Sequence, residues 1–285
     1  MCCGGNLLSK AGHERKSPWF GRGHFRIRLG PPMTRRLALL LLEVACPIAL
    51  VAIVWVWTAQ ADSIFFPPLE SVFKAFDAVW LGSAFETDAL PSLRRWGIAY
   101  VISVLIGVGI GVPMGLNPTA RLVMGPVLAF LRTTPPPALL PIAMILMGIG
   151  DAMKISMIVL VCVFPVLLST ADGIAEVHPT ARDVARTYQV PFFAELLRIL
   201  LPSAASRIFA GMRTSCSLAL TMIVLSEMFG STNGIGYRIL GALRSFAIAD
   251  MWSGVLLIGL LGYAINIAFG WIEQRAIRWV RGATL

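Results

Sequence analysis

The sequence predicts an all-α, polytopic membrane protein with six transmembrane helices. Three observations lead there. Hydrophobic residues make up 57% of the 285 positions and charged residues only 14%, far from the averages of soluble domains. Several apolar runs approach the roughly 20 residues a helix needs to cross a bilayer core. The formal charge of +9 is carried by basic residues on alternate loops, a pattern of membrane orientation and not of nucleic-acid binding.

Residues 1–36 carry eight Lys/Arg against one acid, Glu14. They read as a disordered basic cytoplasmic tail able to touch anionic lipid, although Met33-Thr34-Arg35-Arg36 is a second candidate start. Residues 37–285 form the membrane domain. The first span runs over about Leu37–Thr58. It ends at Ala59-Gln60-Ala61, which resembles a signal-peptidase site, but its apolar stretch exceeds the roughly 7–15 residues of a secretory signal, so the helix is retained. Glu43 lies inside it, where Arg35, Arg36 or a neighbouring helix would offset its desolvation.

Residues 59–95, with Pro67-Pro68, read as an external loop holding a short amphipathic helix. In the second span, Trp96–Leu116, the four-residue spacing of Gly107, Gly111 and Gly115 leaves one face without side chains, which permits close helix packing. With Gly109 this run mimics a dinucleotide fingerprint, but it lies mid-span and no ribose-binding acid follows.

Asn117–Arg132 reads as an interfacial helix leading to a third span at about Pro135–Gly148, with prolines in its first turn. Arg132 is then expected to snorkel at the cytoplasmic interface. The fourth span is Ile155–Thr170 and the fifth, rich in hydroxyls, Ile208–Phe229. A loop from Gly230 to Asp250 leads to the sixth, Trp252–Trp271, and a tail with Arg275, Arg278 and Arg281. With both termini inside, 18 of the 24 Lys/Arg fall on the cytoplasmic side, which fixes the orientation.

That orientation makes residues 172–207 a cytoplasmic loop, and it is an unusual one. Pro179–Tyr188 and the segment after Pro191 each have helical periodicity. The first presents Ala181, Val184, Ala185 and Tyr188, rimmed by Arg182, Asp183 and Arg186, a surface suited to a shallow protein groove. The second, with Phe192, Phe193, Leu196, Leu197 and Leu200, is expected to pack under the membrane domain. The five cysteines and three histidines show no metal-ligand spacing, and there is no P-loop, zinc-binding helix motif or nucleophile elbow. The reading is therefore no catalytic residue, no metal and no cofactor on this chain.

Within the loop, Asp183-Val184-Ala185 is followed by Gln189 six positions after Asp183, and then by Ile199-Leu200-Leu201-Pro202. This resembles the signature of binding-protein-dependent ABC importer permeases: Glu-Ala-Ala, three residues, Gly, nine residues, Ile-x-Leu-Pro. Gln189 replaces the glycine that allows a left-handed turn, at a cost of about 1–2 kcal/mol. Phe65-Phe66-Pro67-Pro68, Ser92-Leu93-Arg94-Arg95, Arg132 with Pro135-Pro136, and Ser226-Glu227-Met228 are similar to the nitrate/sulfonate/taurine subgroup.

The resemblance implies the type I ABC importer (MetI-like) transmembrane domain in a prokaryotic inner membrane. It implies a permease homodimer, an external substrate-binding protein, a small anionic solute, and two cytoplasmic ATPase subunits that hold ATP and Mg. It makes the loop a coupling helix, with Arg182, Asp183, Val184, Ala185, Arg186, Gln189, Ile199, Leu201 and Pro202 engaged in coupling to the ATPase. For the translocation path, Ser217 and Thr221, one turn apart, could donate to an oxyanion, or bond back to the preceding turn. Glu227 could pair with Arg238 or meet the binding protein. An ion-coupled secondary transporter is the rival reading. It would need an intramembrane relay or a broken helix pair, and the span centres are nearly free of charge.

Overall fold

The computed structural model describes residues 33–60 and 63–282. The basic tail up to residue 32, Ala61, and the side chains of Arg35, Arg36, Glu43, Arg278 and Arg281 lie outside the described residues. Helix α1 (Met33–Gln60) crosses the boundary between two compact units, Met1–Val54 and Trp55–Leu285. The second unit contains α2 (Leu69–Trp80), α3 (Leu90–Leu116), α4 (Pro118–Thr133), α5 (Pro136–Met147), α6 (Asp151–Ala175), α7 (Pro179–Thr187), α8 (Phe192–Glu195), α9 (Leu201–Phe229), α10 (Ile235–Arg244) and α11 (Ile248–Gly282). Every described element is helical, as the composition requires of a chain whose backbone must satisfy itself in lipid.

Four helical stretches among the described residues are long and apolar enough to span a membrane: Phe85–Leu116, Asp151–Ala175, Phe192–Phe229 and Ile248–Ile277. A fifth passage is broken. Helices α4 and α5 together have the length and apolarity of a span but meet at an angle of 88°. The interfacial helix and short third span expected from sequence are therefore two arms of one elbow. Its cause is local: Pro135, Pro136 and Pro137 supply no amide hydrogens, so the ladder of α4 cannot continue through them.

Helix α6 is the central helix, packed on α3 along one side and on α9 along the other. Its residues Ile158, Cys162, Val166, Thr170 and Ile174, four apart, are fully buried. Opposite them stand Gly107, Gly111 and Gly115. A Cβ on Gly107 would lie 2.7 Å from that of Val166, on Gly111 2.7 Å from that of Thr170, and on Gly115 2.8 Å from that of Ile174. Two ridges of four-residue spacing thus interlock. On the other side Gly211 of α9 meets Ser169, where an added Cβ would sit 2.5 Å away. Ser215 Oγ donates to the Cys162 carbonyl at 2.8 Å across the same seam.

Two π-turns extend spans beyond their expected starts. Phe85–Ala89 feeds α3 and Leu196–Leu200 feeds α9. Each is followed by Leu-Pro, Leu90-Pro91 and Leu201-Pro202, and each leucine amide reaches five residues back, to Phe85 and to Leu196. A proline cannot donate to the carbonyl four residues before it and crowds that carbonyl, so a widened turn lets the helix pass without a break. The second short helix of the loop is consequently fused to the fifth span and does not lie apart from it. The loop from 230 to 250 also gains a helix, α10, because Ile235 and Ile239 bury themselves beside Trp80.

Candidate functional site

Helix α7 is held at both ends. Pro179 occupies its first turn, and the His178 ring accepts a hydrogen bond from the Thr180 amide at 3.3 Å. At its far end Gln189 has φ = 51°, the left-handed conformation that glycine would adopt freely. The Val190 amide reaches back to the Ala185 carbonyl at 2.9 Å and the Gln189 amide to the Arg186 carbonyl at 3.0 Å, the paired bonds of a Schellman termination. The turn survives the loss of its glycine without changing type.

The faces of α7 differ from expectation. Ala185 is 1% exposed, and half-buried Ala181 packs against the cluster of Val112, Ile174, Val177, Leu200, Ala204 and Ile208. Ala185 therefore faces its own bundle and not the outward surface of the helix. The outward surface consists of Asp183, Val184, Arg186 and Tyr188, with Arg182 half-buried beside it. Further on, Leu200 is buried and Leu196, Ile199, Leu201 and Pro202 are half-buried, whereas Phe192, Phe193 and Leu197 are exposed rather than packed beneath the bundle. Ion pairs brace the flanks: Arg207 with Glu176 at 2.9 Å, and Arg121 with Asp172.

A second constellation lies at the opposite end of the bundle. Glu227 is fully buried. It accepts hydrogen bonds from Ser92 Oγ at 2.7 Å, Arg95 Nη1 at 3.0 Å and the Gly236 amide at 3.1 Å. Arg95 also donates to Asp151 Oδ1 and to Asn233 Oδ1, both at 2.7 Å. Asp88 accepts from the Gly234 amide and from Arg238, each at 2.9 Å. Lys154 donates to Ser231 Oγ at 2.7 Å. Glu227 is thus paired with Arg95, and the anticipated partner Arg238 goes to Asp88.

Sequence reasoning missed Arg95, Ser92 and Asp88 because it ended the external loop at residue 95. The signal was present: Ser92, Arg95, Ala99, Ser103, Gly107 and Gly111 continue one buried face at helical spacing.

Ser217 and Thr221 are exposed. Thr221 Oγ1 donates to the Ser217 carbonyl at 3.3 Å, the back-bonded alternative. Ser217 lines a small crevice with Gly262 and Asn266 of α11. Neither hydroxyl reaches the cavity of about 460 Å³ between the α4–α5 elbow, α6 and α9, which Arg132 lines together with Thr214. Arg132, expected at the cytoplasmic interface, is exposed and sits at that elbow.

Residues 103–282 match the family described as binding-protein-dependent transport system inner membrane component. The chain is 27% identical over 241 residues to the taurine transport system permease protein TauC of Escherichia coli (strain K12), covering 81% of this chain and 87% of that one. It is 27% identical over 188 residues to the putative aliphatic sulfonates transport permease protein SsuC of Bacillus subtilis (strain 168), covering 66% and 68%. It is 25% identical over 232 residues to the nitrate import permease protein NrtB of Leptolyngbya laminosa, covering 79% and 83%. In fold it resembles an inward-facing structure of the MetNI methionine ABC transporter, with a TM-score of 0.60 at 15% identity over 66% of this chain and 94% of that one.

Proposed function

We propose that this chain, which belongs to the family of binding-protein-dependent transport system inner membrane components, is the permease subunit of an ATP-driven importer of a small anionic solute. The observation that carries the reading is α7. A short helix anchored inward by Ala181 and Ala185 and closed by a fixed turn presents a compact outward patch of charge and aromatic surface. Such a lever suits a partner whose movement must reach the spans. Docked in a groove of a cytoplasmic ATPase, it would follow that subunit when ATP closes the ATPase pair. Because Val190 passes directly into α8 and, through a π-turn, into α9, the displacement would be delivered to a membrane helix.

Asp183, Arg182 and Arg186 would set the docking register by charge pairing, with Val184 and Tyr188 filling the groove. Gln189 would hold the turn, and Ile199, Leu201 and Pro202 the joint to α9. ATP and Mg would reside on the ATPase, and a second copy of the permease and an external binding protein would complete the assembly. The relatives named for taurine, sulfonate, nitrate and, in Synechococcus elongatus, bicarbonate support a solute bearing a small oxyanion group. The α4–α5 elbow is a feature an ion-coupled carrier would also need, and family membership supports the ATP-driven reading over that rival.

Proteoliposomes holding the permease, its ATPase and its binding protein test the reading. ATP-dependent accumulation of taurine, ethanesulfonate, nitrate or bicarbonate is the expected result. Uptake driven by an ion gradient without the ATPase would overturn it.

A further inference from the structure

We propose that the cavity at the α4–α5 elbow is a binding site, within the membrane-spanning bundle, for a small singly charged oxyanion, with Arg132 as its cation. The cavity is an open one of about 460 Å³, with Arg132 and Thr214 exposed at its wall, and has room for a small anion and several waters at about 30 Å³ each. Its polar wall is Arg132 and Thr134 from the elbow, Ser169 from α6 and Thr214 from α9, and Leu160 and Phe164 supply part of the apolar wall. No carboxylate lines it, and Arg132 is the charged side chain of its lining.

The depth of the site makes this arrangement informative. Thr214 lies near the middle of α9, about 20 Å from either end at 1.5 Å per residue, and Leu160–Ser169 occupy the middle and later turns of the 25-residue α6. A guanidinium at that level is costly unless it faces a wet cavity or a counter-charge. No described residue supplies one: the exposed Arg132 side chain makes no hydrogen bond or ion pair with any of them. Arg95, at the buried charge cluster, has three side-chain partners. Arg132 is therefore an exposed cation without a side-chain partner at the cavity wall, beside the Ser169 hydroxyl. The Thr134 and Thr214 hydroxyls donate to the Phe130 and Ala210 carbonyls and would have to turn to reach an oxyanion. The bend that builds this space also brings half-buried Thr134, the residue at which the backbone leaves α4, to its wall.

The identity of the anion as transported solute rests on the importer reading, but the presence of the anion site can be tested apart from it. The full chain with Cys2, Cys3 and Cys46 changed to alanine, its buried Cys162 and Cys216 retained, and Thr214→Cys added, is placed in nanodiscs. It is then labelled with 2-sulfonatoethyl methanethiosulfonate or with its trimethylammonium analogue. With each rate divided by that reagent's rate with a free thiol, the sulfonate reagent should react about tenfold faster than the cation. Arg132→Gln should abolish that preference and Arg132→Lys should keep it, and millimolar nitrate or ethanesulfonate should slow the reaction. Equal rates with Arg132 present, a preference that survives Arg132→Gln, or no labelling by either reagent would overturn the site.

ATP-driven uptake then separates the two readings. Full uptake by Arg132→Gln would remove the cavity from the path and leave the importer intact. No uptake by the parent, with the labelling preference observed, would leave the anion site and remove the importer.

Discussion

Arg95 Nη1 lies 3.0 Å from Glu227 Oε1, and the two side chains are 7% and 0% exposed. The pair joins α3 to α9 where α6 and the turn before α10 also arrive, so four elements share one pair of charges. Removing one partner from such a pair leaves the other buried and unpaired, which costs about 3–5 kcal/mol. Glu227→Ala and Arg95→Ala should each lower the unfolding temperature of the detergent-solubilised protein sharply, and the double variant should cost much less than their sum. Additive losses would show that the two side chains do not act as a unit.

The same cluster dictates a glycine. Gly234 has φ = +121°, and a Cβ there would overlap the Glu227 carboxylate. Gly148 also has a positive φ, +73°, but nothing lies within 4 Å of its absent Cβ. Backbone strain alone should make Gly148→Ala lose about 1–3 kcal/mol, since its ψ of 178° puts it where side chains are rarely found. Gly234→Ala should lose distinctly more, because it also displaces the buried ion pair. Comparable thermal shifts for the two variants would mean that the cluster tolerates rearrangement.

Helix α3 carries an internal control of another kind. Gly109 has no neighbour within 4 Å of an added Cβ, whereas at Gly111 the added atom would lie 2.7 Å from the Leu167 carbonyl oxygen and from Thr170 Cβ. Gly109→Ala should be neutral or slightly stabilising through helix propensity. Gly111→Ala should push α3 off α6 and cost roughly 1–3 kcal/mol. Urea-gradient proteolysis of the two variants reads the difference, and equal susceptibility would place the helix contact elsewhere.

These comparisons show what the sequence could and could not disclose. The stripe of Gly107, Gly111 and Gly115 was legible because periodicity alone sets a helix face, and the helix it packs on followed from the structure. The partner of Glu227 was not legible. The external loop was ended at residue 95, which cut Arg95 away from the face it continues, and pairing across 132 positions is a tertiary fact. The joint at Pro202 was not legible either. Proline ordinarily ends a helix, yet a π-turn absorbs it and fuses the loop helix to the span. The three prolines after Arg132 were read as the start of a helix, and the 88° elbow they make has no signature in hydropathy.

The turn at Gln189 makes a prediction about a single amide. Glycine in its place relieves about 1 kcal/mol of left-handed strain while keeping the bond from the Val190 amide to the Ala185 carbonyl. Gln189→Gly should therefore slow hydrogen exchange at Val190, and Gln189→Val, whose β-branch resists positive φ, should speed it. If exchange at Val190 ignores both substitutions, the turn is not what holds the end of α7.

The opposed faces of α7 separate support from contact. Ala185→Trp cannot fit where the native side chain is 1% exposed. It should lower thermal stability and also reduce co-purification of the ATPase, because the whole helix shifts. Tyr188 is 78% exposed and touches nothing whose loss would unfold the bundle. Tyr188→Ala should leave the unfolding temperature within about 0.5 kcal/mol equivalent of the parent and weaken ATPase co-purification several-fold, as truncation of an exposed aromatic anchor does at interfaces. Asp183→Lys should behave as Tyr188→Ala does and become more severe at low salt, since it sets like charges against the complementary groove. Undiminished co-purification of both outward variants, with stability intact, would mean that this face of α7 is not where the ATPase docks.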